Sequence, residues 1–172
     1  ADVISINTVD AVELKPRKFY ACSVVCYLLG NNDGKAYRVR LYLDGGADMT
    51  FMRESKFKQA GYVGEESNVI IRGATGDTMV EKGWSGKVKL KSITTGEVVE
   101  LQVHTKKSLM SRGRSVVVQD EQIAQMSDVV TDRGFNAGMV DCLVGQEALA
   151  LLLGNVRQIG NGVAVQETRL GA

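Results

Sequence analysis

Tyr37-Arg38-Val39-Arg40-Leu41-Tyr42-Leu43 alternates in period two and runs into a carboxylate, Asp44, which is followed at once by Gly45, Gly46 and Ala47. The alternation specifies a strand with one buried face. The glycines permit a tight turn at its end, with backbone close around the carboxylate. An aspartate held half-buried needs a partner or a purpose, because desolvation disfavours its charged form. Asp-Gly is also a common turn dipeptide, so Leu41–Asp48 on its own is compatible with an ordinary turn between strands.

The remaining chain repeats the same pattern of short apolar runs cut by glycine. A single proline and nineteen glycines in 172 residues punctuate it, as all-β domains commonly do. Residues 17–155 read as one domain, preceded by an arm or linker over 1–16 and followed by a tail over 156–172. Phe19 to Leu29 is rich in aromatic and β-branched residues and predicts a strand. Gly30-Asn31-Asn32-Asp33-Gly34 predicts a hairpin into Tyr37–Leu43. Thr50 to Ala60, closed by Gly61, predicts a short helix or helical turn. Val69–Arg72 and Thr78–Val80 flank Gly73-Ala74-Thr75-Gly76-Asp77, a second hairpin with a glycine-rich tip suited to a mobile cover. Val88–Lys91 and Val98–Val103 predict a third hairpin around Thr95-Gly96. Lys106 to Arg114 reads as a solvated basic loop, Val116–Val118 as a strand and Glu121–Val130 as a helical turn. Met139 to Gly145 predicts an apolar strand. Gln146 to Leu153 predicts a helix with Gly154 as its C′ cap, and Val163-Ala164-Val165 an outer strand. The sum is an all-β fold, a closed or nearly closed barrel, with a short C-terminal helix.

Composition removes several function classes. A formal charge of +1 with interspersed signs gives no nucleic-acid surface and no bias towards an acidic substrate. No window approaches the roughly 20 apolar residues of a membrane span, and no basic-then-apolar leader opens the sequence. Cys22, Cys26 and Cys142 are odd in number, lack metal-ligand spacing and read as reduced intracellular thiols. The only histidine, His104, lies in an alternating strand without an acidic neighbour and reads as structural, which leaves hydrolases of the serine or cysteine type without a base. Neither a metal cluster nor a phosphate loop nor a dinucleotide fingerprint is present, so no cofactor and no metal is expected.

Paired carboxylates remain. Two aspartates within a few ångströms share one proton, and the pair can act as general base on water and general acid on a leaving amide nitrogen. The chain has one strand-Asp-Gly-Gly, so a homodimer with its two-fold axis through the site would supply the second. At this point Leu43-Asp44-Gly45-Gly46-Ala47-Asp48 resembles the D-[ST]-G-A turn of the retropepsins, the dimeric aspartic proteases of retroviruses and retrotransposons. The Gly73–Gly76 hairpin falls where that family has its flap, and Val140-Asp141-Cys142-Leu143-Val144-Gly145 before a helix is similar to its C-terminal strand and helix. More narrowly, the order of FYACSVVCYL, the aspartate turn with Thr50-Phe51-Met52, Val140–Gly145 and Gly162–Gly171 resembles the protease of BEL/Pao-type retrotransposon polyproteins.

The resemblance implies a homodimeric aspartic endopeptidase. Asp44 of each subunit would activate water, and Gly46, Ala47, Asp48, Gly73, Ala74, Thr75 and Gly76 would bind substrate. It also implies that the substrate is the polyprotein containing the domain, in the cytoplasm or in virus-like particles. Two departures stand out. Gly45 replaces the family's Ser or Thr, whose hydroxyl ties the two active-site turns together. Gln146 stands where many retropepsins have an Arg that pairs with the aspartate matching Asp48. Gly45 favours an alternative, a domain that no longer cleaves and serves in dimerisation or peptide binding.

Overall fold

The computed structural model describes residues 23–109, 131, 139–159 and 163–172. The readings made for residues 1–16, Phe19–Ala21, Cys22, 110–114, Val116–Val118 and Glu121–Val130 fall outside them. The first hairpin forms as expected. Strands β1 (Ser23–Leu29) and β2 (Ala36–Leu43) pair antiparallel, from Ser23 opposite Tyr42 to Leu29 opposite Ala36. Between them Asn32 and Gly34 take positive φ, and Asp33 Oδ1 accepts the Lys35 N–H at 2.8 Å. An Asn-Asn-Asp-Gly sequence provides for both features, since Asn and Gly tolerate the left-handed region.

Phe51–Arg53 form a strand, β3, and the helix α1 is confined to Glu54–Gln59. The expected helix over Thr50–Ala60 is therefore too long at its N-terminal end. Tertiary pairing overrides local propensity here, because β3 has neighbours on both sides. Phe51 and Met52 lie opposite Leu143 and Cys142 on one side, and opposite His104 and Thr105 on the other. Gly61 takes φ +79 and ends α1, as its position predicts. Glu54 bonds Lys58 at 2.9 Å and the Trp84 indole at 3.2 Å, and the Lys58 contact holds the Glu54 carboxyl below its ordinary range.

The second and third hairpins do not stand apart. Thr78–Lys91 is one strand, β5, which pairs with β4 (Glu65–Arg72) through its first half and with β6 (Val98–Lys106) through its second. Gly83 and Gly86 look like interruptions in the sequence, yet they answer to packing. A Cβ at Gly83 would lie 2.7 Å from the Thr105 carbonyl oxygen, and one at Gly86 would lie 3.3 Å from the Phe57 ring.

One seven-stranded sheet results, in the order β1-β2-β7-β3-β6-β5-β4, where β7 is Cys142–Val144. Tyr27 and Leu28 pair with Lys91 and Leu90, so β1 meets β5 and the sheet closes into a barrel, with the β4–β5 hairpin projecting from it. Two junctions, β2–β7 and β3–β6, are parallel. Inside sit Val24, Leu28, Leu41, Met52, Phe57, Leu90, Val103 and Val144, each essentially without solvent contact. Cys26 and Cys142 are buried free thiols, and burial pushes Cys26 up to about 12. The architecture is all-β with a short C-terminal helix, α2 (Gln146–Leu152). Among the described residues no helix is long and apolar enough to cross a membrane.

Gly154 does not cap α2. Leu153 is already extended, and Gly154 lies within β8 (Leu153–Ile159), where a Cβ would approach the Glu167 carbonyl oxygen to 3.2 Å. The glycine serves the close approach of β9 (Val163–Thr168), which pairs with β8 as a separate two-stranded sheet whose register shifts between Leu153 and Val156. Beyond β9 the chain returns to the barrel. Leu170 is fully buried in the core, Arg169 pairs with Glu97 at the β5–β6 turn, and the Arg169 N–H bonds the Leu152 carbonyl at 3.0 Å.

Leu170→Ala is expected to destabilise the barrel by about 2–5 kcal/mol, the usual range for a buried leucine. Urea denaturation followed by tryptophan fluorescence measures it, and a loss below about 1 kcal/mol would mean that this segment is not core.

Candidate active site

Strand β2 delivers Asp44 to its end, and the Asp44 N–H donates to the Val144 carbonyl at 2.9 Å, continuing the ladder with β7 by one residue. The chain then turns. The Ala47 N–H bonds the Asp44 carbonyl at 3.2 Å, and the Gly46 N–H bonds Asp44 Oδ1 at 2.9 Å. Asp44 is half-buried while Gly45 and Gly46 are exposed, so the carboxylate looks out from the end of a buried strand. Among the described residues Oδ1 accepts the Gly46 amide, and no hydrogen bond or ion pair reaches Oδ2.

The turn is docked on the start of α2. A Cβ on Gly145 would lie 2.3 Å from the Met49 carbonyl oxygen and 2.8 Å from that of Ala47, so only glycine lets the two backbones meet here. The Gly145 N–H is buried and bonds Thr50 Oγ1 at 3.1 Å. The Gln146 N–H bonds the Ala47 carbonyl at 2.8 Å, and the Glu147 N–H points to the Asp48 carbonyl at 3.4 Å. Glu147 closes the circuit, with Oε1 accepting the Thr50 N–H at 3.1 Å. Orphan donors of the first helical turn are thereby satisfied by the carbonyls of the aspartate turn.

Gln146 adds a side-chain contact. Its Nε2 donates to the Gly45 carbonyl at 2.6 Å. The position that lacks the family's arginine thus holds the turn by a different bond. Neither Gln146, Glu147 nor Thr50 stood among the expected site residues. Thr50, wholly buried, had a signal in the sequence, a small hydroxyl residue opening an apolar run. The role of Glu147 had none, because its partner is 97 positions away.

The structure brings Asp44, Gly46, Ala47 and Asp48 into one turn. Asp48 is exposed, and its carboxylate has no partner among the described residues. Gly73, Ala74, Thr75 and Gly76 form the separate tip of the β4–β5 hairpin. There the Gly76 N–H bonds the Gly73 carbonyl at 2.9 Å, the Thr75 hydroxyl bonds Asp77 at 2.8 Å, and Gly76 takes φ +86. No hydrogen bond joins this tip to the aspartate turn among the described residues. The hairpin carries exposed Ile70, Met79 and Val80. His104 lies on β6 with its ring 6.4 Å from that of Phe51 and a buried Nδ1 that has no partner. Among the described residues no group of His, Cys, Asp and Glu could hold a metal ion.

Residues 29–148, from the end of β1 into α2, match the aspartyl protease family, and the chain belongs to it. A retropepsin-like aspartic protease from Rickettsia conorii is similar in structure, at 12% identity over 83% of this chain and 91% of that one, with a TM-score of 0.33. No curated protein sequence matches the chain.

The two glycines flanking this contact respond differently to one methyl group. Gly145→Ala forces backbone apart and is expected to cost at least about 3 kcal/mol, at the upper end of overpacking. Gly45→Ala meets nothing within 4 Å and does not need a positive φ. It is expected to be neutral or to stabilise by about 0.4–1 kcal/mol through the unfolded state. Denaturant midpoints of the two variants check the contrast, and equal losses would contradict it.

Proposed function

We propose that the protein is a homodimeric aspartic endopeptidase of the retropepsin type, with one Asp44 from each protomer. The observation that carries this reading is the Asp44 carboxylate itself: half-buried at a strand end, oriented by the Gly46 amide and open on its other oxygen. In the dimer the unprotonated Asp44 takes a proton from water, whose oxygen adds to the scissile carbonyl carbon. The protonated carboxyl of the partner gives its proton to the carbonyl oxygen. Collapse of the resulting diol breaks the C–N bond as the nitrogen gains a proton. Gly46, Ala47 and Asp48 bind the substrate backbone on one side. The hairpin tip Gly73-Ala74-Thr75-Gly76, with Ile70, Met79 and Val80 behind it, lies along the other. An extended polypeptide with apolar side chains fits these elements by strand addition. The natural substrate in this reading is a polyprotein of the BEL/Pao retrotransposon kind that includes the domain.

Gly45 supports a second reading, a domain that binds peptide and dimerises without cutting. Its Cβ position is empty, so glycine is not a steric requirement of the turn. A serine there fits.

Cleavage of a random peptide pool at about pH 5, where a carboxylate pair can share one proton, separates the readings. The parent is expected to cleave, Asp44→Asn to abolish cleavage and Gly45→Ser to raise it. Activity only in Gly45→Ser would favour the second reading, and cleavage that survives Asp44→Asn would overturn the first. Sedimentation at tens of micromolar is expected to show a dimer, since one aspartate turn per chain is half a site. A strict monomer counts against both readings.

A further inference from the structure

The peptide unit joining Gly45 to Gly46 is held from both ends. Its N–H donates to Asp44 Oδ1 at 2.9 Å, and its C=O accepts Gln146 Nε2 at 2.6 Å. A peptide is planar and rigid, so fixing the carbonyl fixes the direction of the N–H on the same plane. Glycine on both sides makes this the unit that would otherwise rotate most freely. Hydrogen bonds in series also polarise one another, so a donor on the carbonyl strengthens the amide as a donor to the carboxylate. A carbonyl can only accept, so the Gln146 amide nitrogen must face it. We propose that Gln146 is a positioning residue for Asp44, acting from α2 through the Gly45–Gly46 peptide.

Two further features favour a positioning role over a structural one. Gln146 is exposed, so its side chain fills no cavity. The helix stays docked without it, because the backbone N–H of Gln146 bonds Ala47 and that of Gly145 bonds Thr50. Loss of the amide therefore frees one peptide plane and leaves the fold in place.

The inference rests on the proteolytic reading for its kinetic half, and the test keeps the two apart. Gln146→Met removes the donor at nearly the same shape and charge, while Gln146→Arg retains a donor. For the full chain, thermal midpoint, kcat and KM on one cleaved peptide and the hydrogen-exchange rate of the Gly46 N–H are measured for the parent and both variants. Gln146→Met is expected to lower kcat about 3- to 10-fold, the effect of losing one ordinary hydrogen bond. KM and thermal midpoint should hold, and Gly46 exchange should quicken by a similar factor. Gln146→Arg is expected to recover most of both losses. Parental kcat in Gln146→Met overturns the positioning role, as does a fall matched by a lower midpoint and not recovered by Arg. Should the parent itself not cleave, the proteolytic reading fails. Gly46 exchange then decides the relay alone, with quickened exchange in the Met variant upholding it and unchanged exchange overturning it.

Discussion

The contact on which the rest depends is the meeting of two backbones, at Gly145 and at Ala47–Met49, with no side chain between them. Strand β7 can insert between β2 and β3 only if the chain leaves it without colliding with the turn that β2 has just made. Glycine at 145 permits this, and the following amides then find acceptors in the turn's own carbonyls. The aspartate turn and the helix start solve each other's polar problem, as buried backbone must. Asp44 inherits its place from that arrangement. The carboxylate is not set by its own strand alone.

How far this was legible in the sequence follows from the range of each interaction. Period-two alternation placed β2, β6 and the first hairpin because those features are local and Asn32, Asp33 and Gly34 demand a particular turn. Asp44 stood out for the same reason. The continuity of β5 through Gly83 and Gly86 had no local signal, since a glycine that makes room for the Thr105 backbone or the Phe57 ring reads the same as one that ends a strand. Gly154 misled, resembling a helix cap while serving the approach of β9. Thr50 with Gly145, and Thr50 with Glu147, are separated by 95 and 97 positions. No spacing rule reaches that far, so the frame around Asp44 was hidden although Asp44 itself was plain.

The flap-like hairpin and the barrel wall are one piece of chain. Because β5 pairs with β4 at one end and with β6 and β1 at the other, the tip at Gly73–Gly76 is rooted in the closed sheet. The apolar residues Ile70, Met79 and Val80 are left outside that closure. A fold that spends large aliphatic side chains on solvent usually has something to place against them.

The insertion of β7 also bears on biosynthesis. Strand β2 finds its first neighbour, β1, across a few residues, but the Arg40 N–H meets its acceptor on Asp141 only after 101 further positions. Until Cys142–Val144 has emerged from the ribosome, the edge formed by Leu41, Tyr42 and Leu43 has no strand beside it. Pairings this distant in sequence form slowly, and an apolar edge left waiting invites association with other chains. The nascent polypeptide therefore passes through a stage in which the strand that ends in Asp44 presents an open apolar edge, as does β3, which awaits the same partner.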